Sequence, residues 1–129
     1  MLTNQIHPTP EQLAQLQTYP KNTPLVMVNI LKFKAKTTTG ETGQEVYGRY
    51  FKNASPFVAK SGAKLIWKGQ VHTSVIGNLD NQPQLIFLVE YPSVDHFLAM
   101  ASNPDYQKIA TDRSLALEYG GLIACQPNL

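Results

Sequence analysis

The sequence predicts an α+β domain in the order β-α-β-β-α-β, with an antiparallel sheet and one extra helix at the N-terminus. Three observations carry this. Two segments, Leu25–Phe33 and Gln84–Tyr91, are apolar at nearly every position, as central strands covered on both faces are. A third, Ala63–Ile76, alternates and bears Lys64 and Lys68, as an edge strand does. Stretches of helical period with clear caps separate these strands.

In chain order, Thr9-Pro10-Glu11-Gln12 supplies an N-cap, a proline at the first helical position and an acidic first turn. Leu13 and Leu16 give that helix one narrow apolar edge, and Tyr19-Pro20 ends it. The strand over 25–33 follows, then a polar loop from Thr37 to Gly43. A helix is expected from about Gln44 to Ser61, opened by a Thr42/Glu45 capping box and stopped by Gly62. Its apolar stripe is Val46, Tyr50, Ala54, Phe57 and Val58, and Pro56 inside it predicts a kink or two consecutive helices.

In the second strand, alternation puts Leu65, Trp67, Gly69 and Val71 on one face and the lysines with Ile66 and His72 on the other. The turn Gly77–Pro83 leads into the third strand. Pro92-Ser93 then caps a helix bearing Val94, Phe97 and Leu98. Asn103-Pro104-Asp105 starts another, carrying Tyr106, Ile109, Ala110, Arg113 and Leu117, with Gly120-Gly121 as its stop. Leu122–Cys125 is a short last strand. Residues 1–23 read as an N-terminal extension and residues 24–129 as the domain proper.

Composition narrows the functional classes. With 129 residues, 43% hydrophobic and 16% charged, the chain is one folding domain and not a disordered or fibrous one. A net charge of +2 gives no footprint for nucleic acid or a membrane surface, and no apolar run reaches the length of a membrane span. Residues 1–79 carry nine basic and three acidic side chains, whereas 80–129 carry two and six. Such halves could face one another in a two-chain assembly, or be solvated faces of different composition. The start Met-Leu-Thr-Asn-Gln-Ile-His-Pro lacks the basic and apolar regions of a signal peptide. A lone cysteine, Cys125, excludes an intrachain disulfide and fits a reducing compartment. A cytoplasmic location is therefore expected, with Cys125 as a small buried residue.

The order of elements, with two-sided strands at the centre and a lysine-bearing strand at the edge, is that of a ferredoxin-like sheet. Helices can cover only one face of such a sheet. The apolar second face needs another cover, and a second copy of the chain is the economical one, so a homodimer with sheets packed face to face is expected.

Several segments resemble a known bacterial family. They are Leu25–Phe33, the run Gly62-Ala63-Lys64-Leu65-Ile66-Trp67-Lys68-Gly69, and above all Glu90-Tyr91-Pro92-Ser93 followed by Phe97, Met100, Asn103-Pro104-Asp105-Tyr106 and Arg113. On these the chain is similar to domain-of-unknown-function family thirteen-thirty, within the dimeric α/β-barrel superfamily, over about residues 24–126. The resemblance implies a ferredoxin-like protomer, a dimer whose sheets form a barrel, and a pocket between each sheet and its own helices. Relatives in the superfamily include cofactor-independent quinone-forming monooxygenases, lactone isomerases and some haem-binding enzymes. The family itself carries no settled activity, so fold transfers and chemistry does not.

Candidate site residues come from polar groups placed where apolar ones belong. Asn29 interrupts a central strand between Met27 and Leu31 and must find hydrogen bonds, either from a ligand or from neighbouring backbone. Arg113 stands on the inward stripe of its helix, so its head should meet an anion: a substrate carboxylate, or Glu90 in a structural ion pair. Tyr47 and Tyr50 with Trp67 make an aromatic wall in which Tyr50 offers a proton, the alternative being core residues with a polar tip. Phe97 completes the wall.

His72 is a candidate general base, haem ligand or substrate contact, or else a surface or dimer-contact histidine. His7, His72 and His96 have no metal-ligand spacing, so no metal site is expected. No Gly-rich phosphate loop follows a strand and no nucleophile elbow is present, so neither a nucleotide nor another cofactor is expected.

Two functions remain open at this point. One is a cofactor-independent enzyme, of monooxygenase or isomerase type, acting on a small aromatic or carboxylate-bearing molecule through Asn29, Tyr50 and Arg113. The other is a non-catalytic dimeric ligand-binding or accessory protein. A convergent polar cluster in a solvent-connected cavity favours the first, and an Arg113–Glu90 pair sealing a dry core favours the second.

Overall fold

A computed structural model describes residues 5–77 and 80–127. Asn78 and Leu79 of the expected turn, and the first four residues of the N-terminal extension, lie outside them. Helix α1 (Pro10–Leu16) is capped reciprocally: Thr9 Oγ1 accepts from the Gln12 amide at 3.2 Å and Gln12 Oε1 accepts from the Thr9 amide at 3.0 Å. None of its residues is buried. Strand β1 (Leu25–Phe33) spans the residues expected of it.

Helix α2 (Gly43–Lys60) opens with the Thr42/Glu45 box, and Gly62, at φ 81°, takes the left-handed turn after its C-cap Ser61. Pro56 lies within this one helix, where two helices were an expected alternative. The proline removes a single bond, to the carbonyl of exposed Lys52, which water can satisfy.

The remaining elements are β2 (Lys64–Gln70), β3 (Leu85–Tyr91), α3 (Val94–Ala101), α4 (Pro104–Ala116) and β4 (Leu117–Cys125). The sheet order is β2-β3-β1-β4 with every pair antiparallel, the ferredoxin-like arrangement. Two boundaries differ from expectation. Strand β2 stops at Gln70 and not at Ile76, because its partner runs out: Gln70 faces Leu85, the first residue of β3. Helix α4 stops at Ala116 and not at Gly120, because Leu117 and Tyr119 pair with Phe33 and Lys32 at the end of β1. A ladder with a long central strand outweighs one more helical turn.

The sheet has one helix-covered face. Leu25, Met27 and Leu31 of β1 and Phe87, Val89 and Tyr91 of β3 are buried there against Val46, Tyr50 and Ala54 of α2. Burying each such side chain stabilises the fold by roughly 1.5–3 kcal/mol. The other face carries Val26, Val28, Ile30, Ile86 and Leu88, all half-buried, and among the described residues no helix covers it. Glu90 lies on that open face, with Lys64 Nζ 3.5 Å away.

Cys125 sits opposite Val26 on the same face and is exposed, contrary to the buried position expected for it. Strand β4 is an edge strand of the sheet, where the Gln5 carbonyl accepts from the Gly120 amide. Among the described residues, no helix is long and apolar enough to cross a membrane.

Candidate functional site

Between the covered face of the sheet and helices α2, α3 and α4 lies a solvent-connected cavity of about 1420 Å³, bordered by the N-terminal segment Gln5–Tyr19. Aromatic rings wall it in edge-on and tilted contacts: Tyr47 and Tyr50 have centroids 5.2 Å apart, Phe51 and Phe87 5.6 Å, and Tyr91 and Phe97 5.2 Å. Of the seven residues singled out in the sequence, Asn29, Tyr47, Tyr50, Phe97 and Arg113 line this cavity, and Trp67 and His72 do not.

Asn29 reaches it because β1 points its odd positions toward the helices. Its Nδ2 donates to the Met27 carbonyl on its own strand at 3.3 Å, and its Oδ1 accepts no hydrogen bond among the described residues. Tyr50 Oη lies 2.6 Å from Tyr106 Oη, joining α2 to α4. Burial, and secondarily Tyr106, raises the Tyr50 phenol well above its ordinary value; the nearby Arg113 charge opposes this only weakly.

The Tyr47 phenol is raised too, again by burial and against Arg113, and its hydroxyl forms no hydrogen bond among the described residues. Both phenols stay protonated at neutral pH, so each carries an O–H that is able to donate. In the Tyr50–Tyr106 pair one proton serves the mutual bond and the other remains to be donated.

Arg113 meets carbonyls where an anion was expected. Nη1 donates to the Ile6 carbonyl at 2.9 Å and Nη2 to the Gly120 carbonyl at 3.2 Å. The structural ion pair with Glu90 is not formed, since Glu90 projects from the opposite face of the sheet toward Lys64. Gly120 makes the seat: a Cβ there would come within 2.6 Å of Arg113 Nη2 and 2.8 Å of Leu117 Cδ1. Among the described residues lining the cavity there is no Asp, Glu or Lys, so Arg113 carries the one fixed charge.

Trp67 is displaced from the site by a β-bulge. Ile66 is the extra residue: Leu65 pairs with Val89, and Trp67 with Leu88, the next residue on β3. The alternation expected for this strand therefore inverts at Ile66. Trp67 turns to the open face at 54% exposure and covers Gly69, where a Cβ would collide with the indole ring. Lys68 turns inward instead, with Nζ 4.3 Å from the Phe51 ring centroid. His72 lies past the end of β2 and is exposed.

Tyr106 joins the site without being among the expected residues, although its spacing from Ala110 and Arg113 on α4 carries the signal. The Ile6 carbonyl joins it too, and no side-chain pattern marks a carbonyl. His7 Nε2 lies 3.3 Å from Ser114 Oγ at the cavity border, and His96 Nδ1 bonds Ser93 Oγ at 2.6 Å in the cap of α3. No group of three metal-ligating side chains occurs among the described residues.

The chain is similar over nearly its whole length to a protein of unknown function from Rhodopseudomonas palustris. The two share 31% identity, the alignment covers 98% of this chain and 99% of that one, and the TM-score is 0.91. A dimeric protein of unknown function and ferredoxin-like fold from Bacteroides fragilis aligns at TM-score 0.55 and 11% identity, over 83% and 99% of the two chains. SnoaB, a cofactor-independent oxygenase from Streptomyces nogalater, aligns at TM-score 0.51 and 16% identity, over 83% and 97%. The last two likenesses are of fold alone.

No curated protein sequence matches the chain. The family model described as Domain of unknown function (DUF1330) matches residues 37–124, a narrower span than the resemblance over 24–126 and one that leaves β1 outside. With that match over most of its length, and a 31% identical relative covered end to end, the chain belongs to the DUF1330 family.

Proposed function

We propose that the protein is a homodimer in which each protomer binds a small aromatic or carboxylate-bearing molecule in its sheet–helix cavity. It acts on that molecule as a cofactor-independent enzyme of oxygenase or isomerase type. One observation supports the reading: Asn29, the Tyr50–Tyr106 hydroxyl pair and Arg113 all line one largely apolar, solvent-connected cavity. The Arg113–Glu90 pair, which would have favoured a non-catalytic scaffold, is replaced by an arginine with no carboxylate partner among the described residues.

Arg113 would anchor an anionic group, Asn29 orient a carbonyl, and Tyr50 with Tyr106 present a proton to a developing oxyanion. Tyr47 and Phe97 would flank the bound ring. Donors outnumber bases around this cavity, which suits stabilising negative oxygen on the bound molecule. The cofactor-independent oxygenase from Streptomyces nogalater supports the reading at the level of fold.

The open sheet face, with Val28, Ile30, Leu88 and Trp67, would be the dimer contact, in keeping with the dimeric Bacteroides fragilis neighbour. The exposed Cys125 would be covered by it. Residues 1–23 would then form an extension to the domain at 24–129, in a cytoplasmic protein.

The test is native mass spectrometry of the purified dimer against a panel of aromatic acids, followed by NMR of each bound compound and oxygen uptake over hours. One ligand per protomer, converted over time and lost in Asn29→Ala, is the expected result. A ligand that binds and is never altered overturns the enzymatic part. A panel with no binder overturns the cavity assignment.

A further inference from the structure

The N-terminal segment Gln5–Pro8 is held to the domain by polar contacts clustered at one place. The Ile6 carbonyl accepts from Arg113 Nη1 at 2.9 Å, the Gln5 carbonyl accepts from the Gly120 amide at 3.1 Å, and His7 Nε2 meets Ser114 Oγ at 3.3 Å. The helix it leads into adds modest grip: no residue of α1 is buried and Leu13 is 39% exposed, while Leu16 packs half-buried against the core. At its far end the extension is pinned again by Tyr19 Oη donating to the Pro24 carbonyl at 2.7 Å. Residues 5–18 therefore form a strap along the cavity, fastened at Arg113 and hinged near Tyr19.

The fastening uses the same guanidinium that carries the cavity's one fixed charge among the described lining residues. We infer that the cavity takes a monocarboxylate with an apolar body, and that its carboxylate displaces the Ile6 carbonyl from Arg113, so that ligand binding unfastens the N-terminal strap. This rests on the reading of the cavity as a ligand site and adds both the ligand's charge and what its arrival does. A guanidinium–carboxylate bond is charge-assisted and stronger than one to a neutral amide carbonyl, so the exchange favours the ligand. A cation in apolar surroundings with only neutral acceptors leaves its charge uncompensated, which an arriving anion corrects. Tyr47 lies close enough for the Arg113 charge to act on its phenol, and its hydroxyl has no bond among the described residues. It can donate to the second carboxylate oxygen. A strap held by a few polar bonds and little buried apolar surface opens at small cost.

The experiment compares acid and amide pairs of the same shape, benzoate with benzamide and decanoate with decanamide, on the full-length protein. Binding is followed by saturation-transfer NMR, and strap opening by hydrogen–deuterium exchange over residues 5–18 and at the Gly120 amide. The expected result is binding of at least one acid, with exchange over the strap about threefold faster or more, and no such change with its amide. Arg113→Lys keeps a cation but loses the fork that holds both carbonyls. Its strap should exchange rapidly without ligand, and it should still bind the acid. An acid that binds while the strap stays protected overturns the exchange at Arg113 and leaves the cavity reading standing. An amide that opens the strap as well as its acid overturns the requirement for charge. If neither member of either pair binds, this inference and the cavity reading fall together.

Discussion

The hydroxyls of Tyr50 and Tyr106, on helices α2 and α4, lie 2.6 Å apart inside a cavity that Asn29 and Arg113 also line. The Tyr50 phenol, buried in apolar surroundings, is hard to ionise. Desolvation, the larger cause for Tyr50, and the bond to Tyr106 act in the same direction. Tyr106→Phe removes the bond while keeping the ring. It should lower stability by about 1 kcal/mol and bring the Tyr50 phenol down toward its ordinary value. Chemical denaturation and ultraviolet titration of tyrosinate check the two effects.

Tyr47, Tyr50 and Tyr91 are all raised, chiefly by burial. In the unfolded chain these phenols release their protons near pH 10, whereas in the fold they keep them to higher pH. Above that point the native state binds more protons than the unfolded one, so stability falls as pH rises. The stabilisation is complete below the unfolded value and is lost above it. Denaturant melts should therefore give a nearly constant contribution from these groups up to about pH 9 and a steep decline beyond pH 10. The decline should be shallower in Tyr47→Phe.

Gly120 exists to seat Arg113. Gly120→Ala places a methyl against Nη2 and against the Leu117 side chain, and the flexible guanidinium is the group that yields. A cost of roughly 1–2 kcal/mol is expected from the crowding and the lost carbonyl bond. Hydrogen exchange over residues 5–8 should quicken as the Ile6 bond goes with it. A protected N-terminal segment in this variant would mean that Arg113 is not what holds it.

Trp67 is the single tryptophan and lies on the open sheet face. Pairing of two sheets would bury it, so its emission should be blue-shifted in the assembled protein. Leu88→Lys, directly across from Trp67, should give a monomer by analytical ultracentrifugation and move the emission to the red. A wild-type monomer at micromolar concentration, with emission unchanged by the substitution, would defeat the face-to-face dimer.

The loop at 37–43 is tied to α4 through one arginine. Arg49 reaches Glu41 at 2.8 Å and Asp112 at 3.0 Å, and its hydrogen bonds hold the Glu41 carboxyl below the usual carboxylate range. These groups are at the surface, so salt screens them. Arg49→Met should leave the melting temperature nearly unchanged and speed amide exchange at Thr37 and Gly40, whose bonds close the loop. A large loss of stability would show that the network matters beyond the loop.

Much of the fold was legible in the chain because its signals are local. The apolar run at 25–33, the Thr9 and Thr42 caps and the Asn103-Pro104 start each act within a few residues, and each element begins where those signals lie. Asn29, Tyr47, Tyr50, Phe97 and Arg113 share the cavity because strand and helix periods placed them on inward faces, and those periods are properties of sequence. What the chain did not disclose depends on partners distant in sequence. The end of β2 and the start of β4 follow the lengths of β3 and β1, and one bulged residue, Ile66, carried Trp67 from the cavity wall to the open face. Arg113 was legible as an inward cation, but its partners were not. They are the backbone oxygens of Ile6 and Gly120, and a carbonyl is the same in every residue, so only the folded chain decides which ones an arginine finds.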